Sequence, residues 1–263
     1  MVEWRASSEE GCACRRRKRH TSAMDESIRQ RLLQINREFY ERFAAAFAAT
    51  RYGEQAGWHR IITYFSPGCQ VLDLGCGNGR FALFLSRHVP GVEYLGLDGS
   101  AALVEIARGR SDFAGTAQVR FRQEEIDRPG WDAVYQASFH VVTALAVLHH
   151  IPGHVARGEL VRAASRCLRP GGVLILSNWR FLHSERMRRK LVSWSEIGLR
   201  PEDVEPGDYL LDWKKEGRGL RYVHQVEEAE VEQWAAAAGL RVLEQFHADG
   251  REGDLSLYSV LGL

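Results

Sequence analysis

The chain has 263 residues, 45% of them apolar and 26% charged, as in an ordinary soluble globular protein, and this suits one sizeable α/β unit with appendages. Thirty-five basic against 34 acidic residues leave a net charge of +1, so no global field draws it to nucleic acid or membrane, although a balanced total can hide a local basic face. No apolar run approaches the ~20 residues that span a bilayer; five cysteines without zinc-ribbon spacing and the lack of an apolar leader point to a reducing, cytoplasmic compartment.

Residues 1–24 read as a disordered basic tail, with Cys12-Ala13-Cys14 followed by Arg15 to His20. A nucleic-acid arm or a metal-binding tail is the sharper alternative, and a solvated tail is the reading preferred. Met24 stands just before a helix start, so residues 1–23 are hypothesised to be an over-extended translation start, which the intact mass of the native protein tests. From Asp25, Ile28, Leu32, Ile35, Phe39 and Phe43 recur at helical spacing. A second helix is expected over Gln55 to Tyr64, stopped by Ser66-Pro67-Gly68. Residues 25–66 therefore form a helical cap ahead of a domain spanning 67–263.

In that domain strands are expected at 69–74, 92–97, 118–123, 139–145, 172–178, 240–247 and 254–262. Helices are expected at 79–88, 100–109, 154–168 and 226–238. The alternation predicts an α/β fold with a doubly wound, mostly parallel seven-stranded sheet, its last two strands forming an antiparallel hairpin at one edge. Residues 179–225 interrupt the alternation and read as a long irregular insertion on the ligand side of the sheet.

The most specific stretch is Val71-Leu72-Asp73-Leu74-Gly75-Cys76-Gly77-Asn78-Gly79-Arg80. A strand runs into a turn with glycine at every second position, where the backbone must come close to a ligand. A dinucleotide turn would carry glycine at the place of Arg80, and a P-loop would end in Gly-Lys-Ser/Thr; neither is present. A carboxylate at Asp73 suits a cofactor with a free ammonium group and would repel a pyrophosphate. Asp98 ends the second strand about 20 residues on, where a carboxylate accepts hydrogen bonds from both ribose hydroxyls. After the third strand, Glu125 can accept from an adenine amino group and Ile126 can lie on the ring, with Glu124 an equal rival and a solvated surface charge the plain alternative.

These motifs, with Ala146-Val147-Leu148-His149-His150-Ile151 and Leu168-Arg169-Pro170-Gly171-Gly172, resemble the class I S-adenosylmethionine-dependent methyltransferases, whose sheet is Rossmann-like. The resemblance implies S-adenosylmethionine as cofactor. It implies a binding set of Asp73, Gly75, Cys76, Gly77, Gly79, Asp98, Gly99, Glu125, Ile126, Ala144 and His149. It departs from the family at Phe139-His140, where Phe-Asp is usual and the Asp is mostly structural.

The distal residues are similar to the tRNA wobble-uridine carboxymethyl methyltransferases. The similarity rests on Asn36 to Tyr40, Thr50-Arg51, Gly207 to Trp213 and above all Arg221-Tyr222-Val223-His224. It implies Arg221, Tyr222 and His224 as catalytic residues and Tyr40, Arg51, Trp179 and Trp213 as acceptor-binding ones. It also implies tRNA as a partner and, as in the eukaryotic enzymes, an activator protein for which the open sheet edge is a docking place. From the residues alone, Arg221 can hold a carboxylate or phosphate, and Tyr222, Trp179 or Trp213 can stack on a flipped-out base. Arg186, Arg188, Arg189, Lys190, Lys214, Lys215 and Arg218 can meet an RNA backbone, but the insertion holds nearly as many acids, so a solvated mixed-charge loop stands equally. A small metabolite is the other acceptor class. No complete metal-ligand set is apparent, and no metal is expected.

Overall fold

The computed structural model describes residues 24–263; the basic-tail expectation lies outside them apart from Met24. Three helices come first: α1 (Glu26–Arg42), α2 (Ala44–Ala49) and α3 (Ala56–Ile61), the last continued by a 3-10 turn through Tyr64. Asp25 caps α1, accepting from the backbone N–H of Ser27 and Ile28.

The main sheet is built from β1 (Gln70–Leu74), β2 (Glu93–Asp98), β3 (Gln118–Gln123), β4 (Phe139–Leu145) and β5 (Leu168–Trp179). The connecting helices are α4 (Arg80–His88), α5 (Ala101–Arg108) and α6 (His154–Cys167). Past β5 lie α7 (Glu185–Arg188), β6 (Leu191–Val192), β7 (Asp208–Trp213), β8 (Gly219–His224), α8 (Glu228–Ala237), β9 (Arg241–Ala248) and β10 (Ser256–Gly262). The seven-stranded order is β3-β2-β1-β4-β5-β10-β9, with β10 antiparallel to both neighbours. Val71, Leu72 and Leu74 are buried on both faces of β1, as a parallel strand under two helix layers requires. The chain reverses its strand order beside β1, which opens a crevice at the carboxyl ends of the strands.

Two sequence features resolve differently. Residues 179–225 are not irregular: β6, β7 and β8 form a second, antiparallel sheet. One face of it buries Leu210 and Tyr222 with Leu32 of α1; the other buries Leu211 and Val223 with Phe181 and Met187. His140, at the place of the family's Asp, accepts the Gln70 N–H on Nδ1 at 2.9 Å and so keeps a structural duty between β4 and β1. Among the described residues, no helix is long and apolar enough to cross a membrane.

Candidate active site

A cavity of about 860 Å³ opens at the carboxyl ends of β1, β2 and β4. α1 lies across it as a bar tied at several points. Arg37 pairs with Glu125 and Asp127, each at 2.9 Å, and Ser100 donates to Glu41 at 3.0 Å. Asn36 donates to the carbonyls of His150 and Tyr222 and accepts the Tyr222 N–H at 2.8 Å. Phe39 meets Trp213 edge-on, centroids 5.4 Å apart.

The first end of the cavity is acidic. The Gly77 N–H donates to Asp98 Oδ2 at 2.8 Å and the Ser100 N–H to Oδ1 at 2.9 Å, fixing that carboxylate at the mouth of the turn. Burial raises its pKa despite these bonds. Asp73 accepts from Thr143 Oγ1 at 2.5 Å and from the Tyr94 hydroxyl. Burial dominates there too and pushes the carboxyl up to about 7. Gly77 has φ +56°, and a Cβ built on it would meet no atom within 4 Å while facing the cavity. Glu125, Asp127, Gly99, Ile126, Gly75 and Cys76 also line this end, and burial holds the Cys76 thiol neutral. Glu124 turns away to Arg122.

The far end is cationic: Arg51, Arg186, Lys190, Lys215 and Arg221 line it. Arg221 is 1% exposed, and among the described residues its Nε and Nη1 have no hydrogen-bond partner. Its guanidinium lies 4.7 Å from the Phe39 ring centre, 5.4 Å from Trp179 and 5.5 Å from Trp213. Burial, and after it Arg221, lower Arg51 to about 10. His150 stands between the ends, its Nδ1 on the Tyr222 carbonyl at 3.1 Å and its Nε2 on the Tyr40 hydroxyl at 2.9 Å. Burial, then Arg221, hold its pKa down to about 3.

The sequence model of a methyltransferase-domain family matches residues 28–245. The chain belongs to this methyltransferase family. It is similar to an Encephalitozoon cuniculi protein that bears the name methyltransferase, 29% identical over 224 residues, 85% of this chain and 92% of that protein. It is 34% identical over 111 residues to a Xanthomonas campestris ubiquinone biosynthesis O-methyltransferase, covering 42% of this chain and 43% of that one. A Bos taurus protein that bears the name tRNA methyltransferase 9B is 28% identical over 182 residues, 66% of this chain and 36% of the relative's length. The fold is that of a Methanosarcina mazei S-adenosylmethionine-dependent methyltransferase (TM-score 0.61, 20% identity, 77% of this chain, 96% of that one). It is also that of the methyltransferase solved in complex with the Haloferax volcanii Trm112 activator (TM-score 0.56, 20% identity, 86% and 96%). The methyltransferase uses S-adenosylmethionine as cofactor, and the acidic end of the cavity fits it. A side chain at Gly77 would fill the cradle, and the carboxylates of Asp73 and Asp98 suit an ammonium group and a ribose.

Not every expected residue of the methyltransferase reaches the cavity. Tyr40, Arg51, Trp179, Trp213 and Arg221 do. Tyr222 and His224 do not: both are buried on the other face of β8, with the Tyr222 hydroxyl on Asp208 at 2.7 Å and His224 between Asp208 and Glu230. Side chains alternate along a strand, so Arg221 and Val223 share one face and Tyr222 and His224 the other. Of the stretch Ala144 to Ala146 at the end of β4, which the resemblance puts beside the methionine part of the cofactor, Leu145 and Ala146 line the cavity and Ala144 is buried in the core. His149 is fully buried against Trp179, and burial drives its pKa far down. Gly79 is needed for packing: at φ +72° its Cβ would sit 2.8 Å from Phe121 Cζ. The residues missed are Arg37, Glu41 and Asp127, which lock α1 over the acidic end; the acid run Glu124-Glu125-Ile126-Asp127 was the available signal.

Proposed function

We propose that this methyltransferase esterifies a carboxylate, namely a carboxymethyl group on a tRNA wobble uridine. Bound S-adenosylmethionine supplies a methyl group on a sulfonium centre, so the protein's task is chiefly alignment. In this reading Asp98 holds the ribose, Glu125 and Ile126 flank the adenine, and Gly75 and Gly77 let the cofactor approach the backbone. The observation that carries the acceptor class is Arg221: a buried guanidinium at the cavity wall, framed by three aromatic rings, with two nitrogens that have no hydrogen-bond partner among the described residues. Such a fork suits a carboxylate. A carboxylate is ionised at neutral pH and needs no base. A base would have to come from His149, His150, Tyr222 or His224; of these His150 lines the cavity, and burial keeps it neutral down to about pH 3. Trp179 and Trp213 line the end of the cavity where a flipped base would lie. The named similarity to tRNA methyltransferase 9B supports the RNA. Fold likeness to the partner of the Trm112 activator makes an activator protein a further candidate partner.

The test is mass spectrometry of tRNA nucleosides from a deletion strain, with loss of a methyl ester and accumulation of its free acid expected. An unchanged profile sinks the tRNA acceptor and favours a metabolite, the second reading, which α1 and α2 support by enclosing the cavity. With purified enzyme, Arg221→Lys is expected to cut turnover at least about tenfold, because the charge stays while the fork is lost. Cofactor affinity should hold within about threefold; equal loss of both would make Arg221 structural.

A further inference from the structure

The acids that seemed to balance the basic insertion are engaged elsewhere. Glu185 pairs with Arg189 and Glu196 with Arg218 at the surface, and the buried Asp212 pairs with Lys214 and Arg218. Arg186, Lys190 and Lys215 face the cavity instead, and among the described residues neither they nor Arg51 and Arg221 make an ion pair with a carboxylate within 4.0 Å. The five sense one another: burial first, then Arg221, Arg186, Arg51 and Lys215, lower the pKa of Lys190. Like charges gathered beside a low-dielectric wall repel, and an anionic ligand relieves that repulsion. A single carboxylate cancels one charge and leaves four.

We propose that Arg186, Lys190 and Lys215 form a phosphate subsite within the acceptor end of the cavity, so that the acceptor carries a phosphoryl group besides the group methylated. The two lysines supply point charges and Arg186 a fork, both suited to phosphate oxygens. This subsite rests on the proposed carboxylate reading only in leaving Arg221 to the methylated group. It selects a phosphorylated nucleotide over a neutral metabolite of equal size. The phosphoryl group can belong to a mononucleotide or to a polynucleotide backbone.

The experiment is calorimetric titration of the cofactor-loaded protein at low salt with inorganic pyrophosphate, uridine 5′-monophosphate and an RNA hairpin of anticodon-loop length. The triple variant Arg186→Gln, Lys190→Met, Lys215→Met is compared with the control triple Arg31→Gln, Arg120→Gln, Arg241→Gln. Pyrophosphate should bind the parent and bind the first variant at least about tenfold more weakly, with the control within about twofold and cofactor affinity unchanged in both. Absence of pyrophosphate binding to the parent, or equal weakening in the control, overturns the subsite. Binding of the monophosphate as tight as the hairpin assigns the phosphate to a mononucleotide; much tighter hairpin binding assigns it to a backbone. If pyrophosphate binds as expected while the nucleoside profile of the deletion strain is unchanged, the subsite stands and the tRNA acceptor falls.

Discussion

Gly77 and Asp73 show at the level of single residues how the cradle works. At φ +56° a non-glycine residue at position 77 costs about 1–2 kcal/mol, and its Cβ would project into open cavity space. Gly77→Ala should therefore lower cofactor affinity at least tenfold by calorimetry while shifting the melting temperature only by a few degrees, ~4–8 °C per kcal/mol in a small domain and less in a larger one. Wild-type affinity would mean the cofactor lies elsewhere. Asp73 gives a pH signature. Its folded pKa of about 7 lies above the ordinary 3.8, so the folded protein binds this proton more tightly than the unfolded chain. The sign follows: stability falls as pH rises from about 4 to about 7 and levels off above. A ligand ammonium prefers the ionised form, so cofactor affinity should weaken as pH drops below about 7. In Asp73→Asn both dependences should flatten, and an unchanged pH profile in that variant would remove Asp73 from the account.

At the level of elements, the second sheet decides where Arg221 points. It was not legible in the sequence because its apolar residues come in adjacent pairs, Leu210-Leu211 and Tyr222-Val223. Both faces are covered, so the period-2 alternation that marks a half-exposed strand is missing. The parallel strands also lack alternation, yet their glycine turns and intervening helices gave them away. The motif Arg221 to His224 was read as one functional unit, although strand geometry splits it into two faces. The buried face is a tether: Asp208 accepts from Tyr222, His224 bridges Asp208 and Glu230 of α8, and Arg157 of α6 pairs with Glu205 at 2.8 Å. Burial opposes a charge on His224, but the carboxylates of Asp208 and Glu230 outweigh it and its pKa is raised. Its contribution to stability is thus complete below about 6.5 and is lost as pH rises through the higher folded value. In His224→Gln the alkaline part of the melting curve against pH should lose that decline, with acceptor turnover reduced more than cofactor affinity. A decline of unchanged size would show that another group causes it.

Across the whole molecule, a net charge of +1 conceals a cavity with acids at one end and cations at the other. The cofactor end was readable because each of its carboxylates sits at the end of a strand in a fixed order. The division of charge was not, because the acids and bases of the insertion are interleaved in sequence and only folding sends one set outward. This arrangement separates the salt responses of the two ligands. Counterion release scales with phosphates neutralised, about 0.7 per contact on a single strand in log–log slope. The three cations of the proposed phosphate subsite therefore predict a slope of about −2 for RNA binding between low and physiological salt. The cofactor, which meets carboxylates and backbone, should show a shallow slope over the same range. The measurement is a pair of affinity series in potassium chloride. A steep RNA slope that persists after Arg186, Lys190 and Lys215 are neutralised would place the contacts on other cations, such as Arg188, Arg189, Lys214 and Arg218 or the run Arg15 to Arg19, and a slope near zero in the parent would remove phosphate from acceptor recognition.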